Sequence, residues 1–114
     1  LKDLNLNGNS IDGKGFQLLA DSENFKNLKV LRVSGMSIGD KGFQSILNSK
    51  TLKKLEELEM AENFISKKSL SMLTKSPVFP NLTKLDLRRN RLNESDQLFL
   101  AQSSSFGNLK SIRL

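Results

Sequence analysis

The chain contains no cysteine, histidine, tryptophan or tyrosine. Without cysteine it has neither a disulfide framework nor a thiolate metal site, which suits a reducing compartment. Without histidine it lacks the commonest general base, so Ser-His and Cys-His catalysis are excluded and a transition-metal site would need carboxylates alone. No phosphate-binding loop, metal-ligand spacing or nucleophile elbow takes their place. The expectation is therefore a chain that is not an enzyme and has no cofactor, metal or small-molecule substrate. No run of about 18 apolar residues is present to span a membrane. The first residues, LKDLNLNGNS, lack the apolar stretch of a signal peptide.

What the chain does have is a repeat, and a repeat has to be recognised before individual elements are assigned. Leu1, Leu28, Leu55, Leu82 and Leu109 are spaced by 27 residues each time. The copies LKDLNLNGNSI, LKVLRVSGMSI, LEELEMAENFI and LTKLDLRRNRL, with a partial LKSIRL, share L-x-x-L-x-L-x-x-N-x-L with apolar swaps. The second departs, carrying Met36 at the Asn position. In the first copy Leu4 and Leu6 alternate with Asp3, Asn5 and Asn7, the period of a strand with one buried face. Leu31 and Val33, Leu58 and Met60, Leu85 and Leu87, and Ile112 and Leu114 repeat it. Parallel strands need a crossover, and the roughly 20 residues left in each copy can supply one.

Asp12, Gly39, Ser66 and Asn93 stand at the start of that crossover, all from the preferred helix N-cap set. One-face helical triplets follow: Phe16, Leu19 and Ala20; Phe43, Ile46 and Leu47; Leu70, Leu73 and Thr74. The fourth copy has Gln97 in the first place and Leu98 and Phe99 beside Leu100, so its helix is expected to be rotated or shortened. Each copy closes through a serine (Ser22, Ser49, Ser76, Ser103) and a bulky anchor (Phe25, Leu52, Phe79, Phe106). Five of the seven phenylalanines fall in two interior columns and read as core.

The pattern resembles the leucine-rich repeat family from Leu1 to Leu114, and its period and helix-like second half resemble the subfamily typified by ribonuclease inhibitor. The resemblance implies an α/β fold, a solenoid with short parallel strands on a concave face and helices on a convex face. It also implies a protein partner gripped by the concave face. One domain spanning 1–114 is expected, with four full repeats starting at 1, 28, 55 and 82 and a partial fifth at 109. The array starts and stops on a strand, whereas solenoids need polar caps over their end repeats, so it is expected to be part of a longer array. Within the family's range it fits the recognition part of a bacterial effector, an immune or signalling receptor, or a ubiquitin ligase adaptor. The sequence does not separate these.

If the strands alternate in this way, the formal charges on their solvent side run 0, +2, −4, +2, +2 along the five copies. An acidic rib thus stands between basic ones. Two readings compete. One is a charge-patterned docking face that selects and steers a partner. The other is lateral pairing between strands about 4.8 Å apart, matching Lys29 with Glu56, Arg32 with Glu59, Glu57 with Lys84 and Glu62 with Arg89. Such exposed pairs contribute about 0–1 kcal/mol each. Binding hot spots favour Trp, Tyr and Arg, so the candidate partner-binding residues are Arg32, Arg88, Arg89 and Arg113, with Glu57, Glu59, Glu62 and Asp86. Phe64 is a further candidate, as an apolar contact at the rim, although a phenylalanine so placed more often folds over its neighbour. The net charge of +6 raises non-specific nucleic-acid binding as the alternative. No aromatic interleaving is present to stack bases, and scattered lysines such as Lys14, Lys41 and Lys68 read more simply as solvated helix faces. Met36 is expected to make the second bend turn differently, through Gly35 and Gly39, or to recruit water there.

Overall fold

The period-two stretches form five short parallel strands in the computed structural model, which describes residues 1–75, 79–102 and 110–114. These are β1 (Asp3–Asn5), β2 (Val30–Arg32), β3 (Glu57–Glu59), β4 (Lys84–Asp86) and β5 (Ser111–Arg113). They build one sheet in the order β1-β2-β3-β4-β5, so every strand lies beside its successor in sequence. Leu4 pairs with Leu31, Leu31 with Leu58, Leu58 with Leu85 and Leu85 with Ile112, each step advancing 27 positions. Every repeat column therefore becomes a row of touching neighbours.

One side of the sheet is packed with those rows. Leu31, Val33, Leu58, Met60, Leu85 and Leu87 are buried, as are Leu28, Leu55 and Leu82 just before the strands. Burying an aliphatic side chain of this size is worth about 1.5–3 kcal/mol. In the outer strands Leu4, Leu6, Ile112 and Leu114 are only partly covered.

The crossovers cover the same side. They contain α1 (Gly13–Ala20), α2 (Gly39–Leu47), a 3-10 turn (Lys67–Ser69) leading into α3 (Leu70–Lys75), and α4 (Glu94–Ala101). Phe16, Ala20, Phe43, Ile46, Leu47 and Leu100 pack inward from them. Three of the four expected caps are made. Asp12 accepts from the Gly15 N–H at 2.7 Å and Ser66 Oγ from the Lys68 N–H at 3.3 Å. Asn93 and Asp96 exchange backbone-to-side-chain bonds of 2.8 and 3.1 Å, a reciprocal capping box. Gly39 instead opens α2 with no side-chain cap, and takes a left-handed φ of +69°.

The expected rotation or shortening of the fourth helix does not occur. α4 has the same eight residues' length as α1, and Leu100 is buried in the column of Ile46. Its irregularity is absorbed at the surface, where Leu98 and Phe99 remain exposed. The closing residues Ser76, Ser103 and Phe106, the strand-leading Leu109, and the side chains of Leu73 and Thr74 lie outside the described residues.

The bends after the strands correct a second expectation. Gly35 does adopt a left-handed φ, but so do Gly8, Glu62 and Arg89 at the equivalent places, so this turn is common to the first four copies. Only the positive φ of Gly39 is peculiar to the second copy among the described helix starts. The amide ladder also runs between copies. Asn63 Oδ1 accepts from the Met36 N–H at 2.9 Å, while its Nδ2 donates to the Val33 carbonyl at 2.7 Å. Asn90 likewise accepts from the Asn63 N–H at 2.9 Å and donates to the Met60 carbonyl at 2.9 Å. Each asparagine thus serves the bend one copy earlier. Met36, itself buried, donates its N–H to Asn63 of the following copy, and the bend it fails to serve is that of Asn9.

Candidate functional site

The side of the sheet away from the core is set by the same alternation. Asp3, Asn5, Val30, Arg32, Glu57, Glu59, Lys84, Asp86, Ser111 and Arg113 flank the inward leucine or, in β5, isoleucine of their strands and are exposed or half-buried. Parallel pairing without offset brings residues of one column side by side, and the charges settle accordingly.

All four lateral pairs expected from the sequence are present. Lys29 Nζ lies 3.5 Å from Glu56, Arg32 Nε 3.5 Å from Glu59, Lys84 Nζ 3.3 Å from Glu57 and Arg89 Nη1 2.7 Å from Glu62. Two further pairs are not in that set. Arg32 Nη1 donates to both Asp3 carboxylate oxygens, at 2.8 and 3.1 Å, so Arg32 bridges β1 and β3. Arg88 grips Asp86 through Nε and Nη2 at 3.0 and 2.9 Å within one repeat. Burial pushes the Asp86 carboxyl up, but its bonds from Arg88 and the charges of Arg88 and Arg113 outweigh this, leaving its pKa below the ordinary carboxylate value. Arg113 has no ion pair among the described residues.

The eight candidates do not gather at one point. Arg32, Glu57, Glu59, Asp86 and Arg113 surround a hollow of about 300 Å³ over β2 to β5, completed by Lys84, Ser111 and the backbone side of Leu58 and Leu85. Arg88 stands beside it through its grip on Asp86. Glu62 and Arg89 border a second hollow, of about 360 Å³, with Gly35, Ser37 and Phe64. Asp3, Lys84 and Ser111 were outside the candidate set. For Lys84 and Ser111 the signal was their column; for Asp3 it was the reach of Arg32 in the direction opposite to Glu59.

The other surface is different in character. Lys14 and Lys41 border a trough between α1 and α2 together with Gln17, Asp21, Gln44 and Asn48, and no aromatic residue lines it. Among the described residues no helix is long and apolar enough to cross a membrane.

Two family models, described as Leucine Rich Repeat and Leucine Rich repeat, match residues 81–109 and 1–20 respectively. These matches support a leucine-rich repeat family. No curated protein matches the sequence. Among solved structures, one titled "Leiomodin-1 Actin-Binding Site 2 (ABS2)" superposes with a TM-score of 0.81 at 17% identity, covering 98% of this chain and 69% of that one. So low an identity carries the fold alone. The leucine-rich repeat character and the parallel α/β architecture thus agree.

Proposed function

We propose that this chain is a non-catalytic protein-interaction module, a leucine-rich repeat solenoid of the ribonuclease-inhibitor-like kind with 27-residue repeats. Its sheet side is the concave face, and that face takes the partner. The observation that carries the reading is the hollow walled by Arg32, Glu57, Glu59, Asp86 and Arg113, in which both charge signs stand within one open depression. Charges so arranged confer selectivity and speed of encounter more than raw affinity. Arg88, Arg89 and Glu62 extend the contact set along the strand ends. The role is the same whether the array serves a bacterial effector, a receptor or a ubiquitin ligase adaptor. Because leiomodin-1's matching structure carries an actin-binding title, monomeric actin is one partner to present directly.

The test is capture of partner proteins by the wild type and by a variant with Glu57, Glu59 and Glu62 all changed to Lys. The same three residues changed to Gln remove the charges without creating like-charge contacts to Lys84, Arg32 and Arg89. Exposed pairs contribute only about 0–1 kcal/mol each, so both variants keep the native circular dichroism spectrum. Capture is lost in the first and weakened in the second. Capture that survives the Lys variant, with the fold intact, removes the acidic rib from the site. Binding to generic duplex DNA that falls steeply with salt would favour the basic-surface alternative instead.

A further inference from the structure

The second hollow has a feature that folding does not explain. Asn63 and Ile65 are fully buried on either side of Phe64, while Phe64 itself is 50% exposed. Left-handed backbone at Glu62 (φ 56°) and Phe64 (φ 59°) turns the ring outward. Ser37 takes the same conformation one repeat earlier, with φ 53°, whereas the equivalent Ser10 and Arg91 do not, so the left-handed bend is shared by two copies and only one of them sets a phenylalanine on it. For a bulky residue such a φ is an outlier, costing on the order of 1–3 kcal/mol. The visible return is small. The Arg91 guanidinium lies over the ring, 4.7 Å from its centroid, and an exposed cation–π contact contributes about 0.5–1 kcal/mol.

The surroundings leave room for a visitor. Gly35 and Ser37 give the neighbouring wall little bulk, and the hollow of about 360 Å³ holds one large side chain. Glu62 and Arg89 in its wall balance each other, and Arg91 over the Phe64 ring adds a positive charge beside it. Glu62 is held by Arg89 at 2.7 Å, and the Arg89 side chain is 79% exposed. Arg91, fixed by its backbone N–H bond to the Ile65 carbonyl at 2.8 Å, has no ion pair among the described residues.

We infer that the Phe64 hollow receives a large apolar side chain of a partner protein, flanked in that partner by an acidic residue that meets Arg91 and Arg89. The inference rests on the protein-binding reading and supplies its anchor, since the sheet face offers only polar and charged contacts beside Val30. An apolar anchor in a pocket with a charged rim is how interface energy concentrates.

The probes are three blocked tripeptides, acetyl-Glu-Trp-Glu-amide, acetyl-Lys-Trp-Lys-amide and acetyl-Glu-Ala-Glu-amide, titrated into the isotope-labelled chain and followed by amide chemical shifts. The first moves the amides of Gly35, Ser37, Phe64 and Arg89 saturably, and the other two bind about tenfold more weakly. Phe64→Ser removes the response and leaves the melting temperature unchanged or higher. Equal binding of the three probes, no response to the first, or a response that survives Phe64→Ser overturns the inference. A marked fall in melting temperature does so too, because Phe64 would then be a structural clasp with Arg91. If the peptides fail while capture still depends on Glu57, Glu59 and Glu62, only the hollow is wrong. If both fail, the protein-binding reading goes with it.

Discussion

The bend between the first and second copies and the bend between the second and third share a left-handed residue after the strand, at Gly8, Gly35 and Glu62, but are held in different ways. At the later one, the buried Asn63 bonds back to Met36 and Val33, and Asp40 on α2 accepts from the Ser66 N–H, Ser66 Oγ and Ser69 Oγ at 3.0, 2.5 and 2.5 Å. At the earlier one the equivalent residues are Met36 in place of Asn63, Gly13 in place of Asp40, and Gly39 and Gly42 in place of the two serines. The glycines have no side chain to bond with, and the Met36 thioether is at most a weak acceptor and no donor. Asn9 closes on its own turn, its N–H and its Nδ2 both donating to the Leu6 carbonyl, at 3.2 and 2.9 Å. That first seam is tied elsewhere, through Arg32 to Asp3, Asn7 Oδ1 to the Ser34 N–H at 2.7 Å, and Ser49 and Thr51 to the Ala20 carbonyl. One seam is thus bonded at the turn and the other around it. The difference teaches that a repeat protein can omit a rung where side-chain ties on either side already hold the register.

The largest expected effect tests the buried rung. Asn63→Ala strands the Met36 N–H and the Val33 carbonyl in the core, at a cost of about 3 kcal/mol from two unsatisfied groups. Asn9→Ala, at an exposed turn, costs under about 0.5 kcal/mol. Urea denaturation of the two variants measures the gap, and equal losses would erase the distinction between the seams.

A smaller effect comes from Asp40. Burial pushes its carboxyl up, but the bonds from Ser66 and Ser69, aided by the nearby charge of Lys68, outweigh this, so its folded pKa lies below the ordinary value. A carboxyl whose pKa is lower folded than unfolded stabilises fully above the unfolded value, about 3.9. That contribution disappears as pH falls through the lower folded value. Asp40→Asn therefore costs about 1–2 kcal/mol at neutral pH and flattens the acid limb of the stability profile. An unchanged profile below pH ~4 would show that the clasp is not formed.

The smallest effect is at Met36. By the offsets of Asn63 and Asn90, an amide at position 36 would reach the Asn9 N–H and the Leu6 carbonyl. Met36→Asn exchanges a buried thioether for two hydrogen bonds worth about 1 kcal/mol each. The net change in stability lies within about 1 kcal/mol of zero, while hydrogen exchange at the Asn9 amide slows. A loss well beyond that range, with exchange unchanged, would mean that the first bend requires an apolar plug.

Much of this was legible in the sequence because a fixed period converts directly into contact. Leu31, Leu58 and Leu85 read as inward, and they are; Lys29–Glu56, Arg32–Glu59, Lys84–Glu57 and Arg89–Glu62 follow from column neighbours, and all four form. The candidate site was legible as a face but not as a site. Five of its eight residues line one hollow and Glu62 and Arg89 another, with Arg88 lining neither, because Glu62 and Arg89 lie past the strand ends, where the backbone turns left-handed and leaves the sheet plane.

By itself the sequence determined the strands, their order, their register and the rows of charge, since parallel stacking at constant period leaves no freedom in which residues become neighbours. Only the tertiary structure decided that each bend asparagine serves the copy before it, that Arg32 favours Asp3 over Glu59, and that Phe64 faces solvent under Arg91. These depend on the offset between adjacent turns and on the sign of a backbone angle. Residue spacing encodes neither.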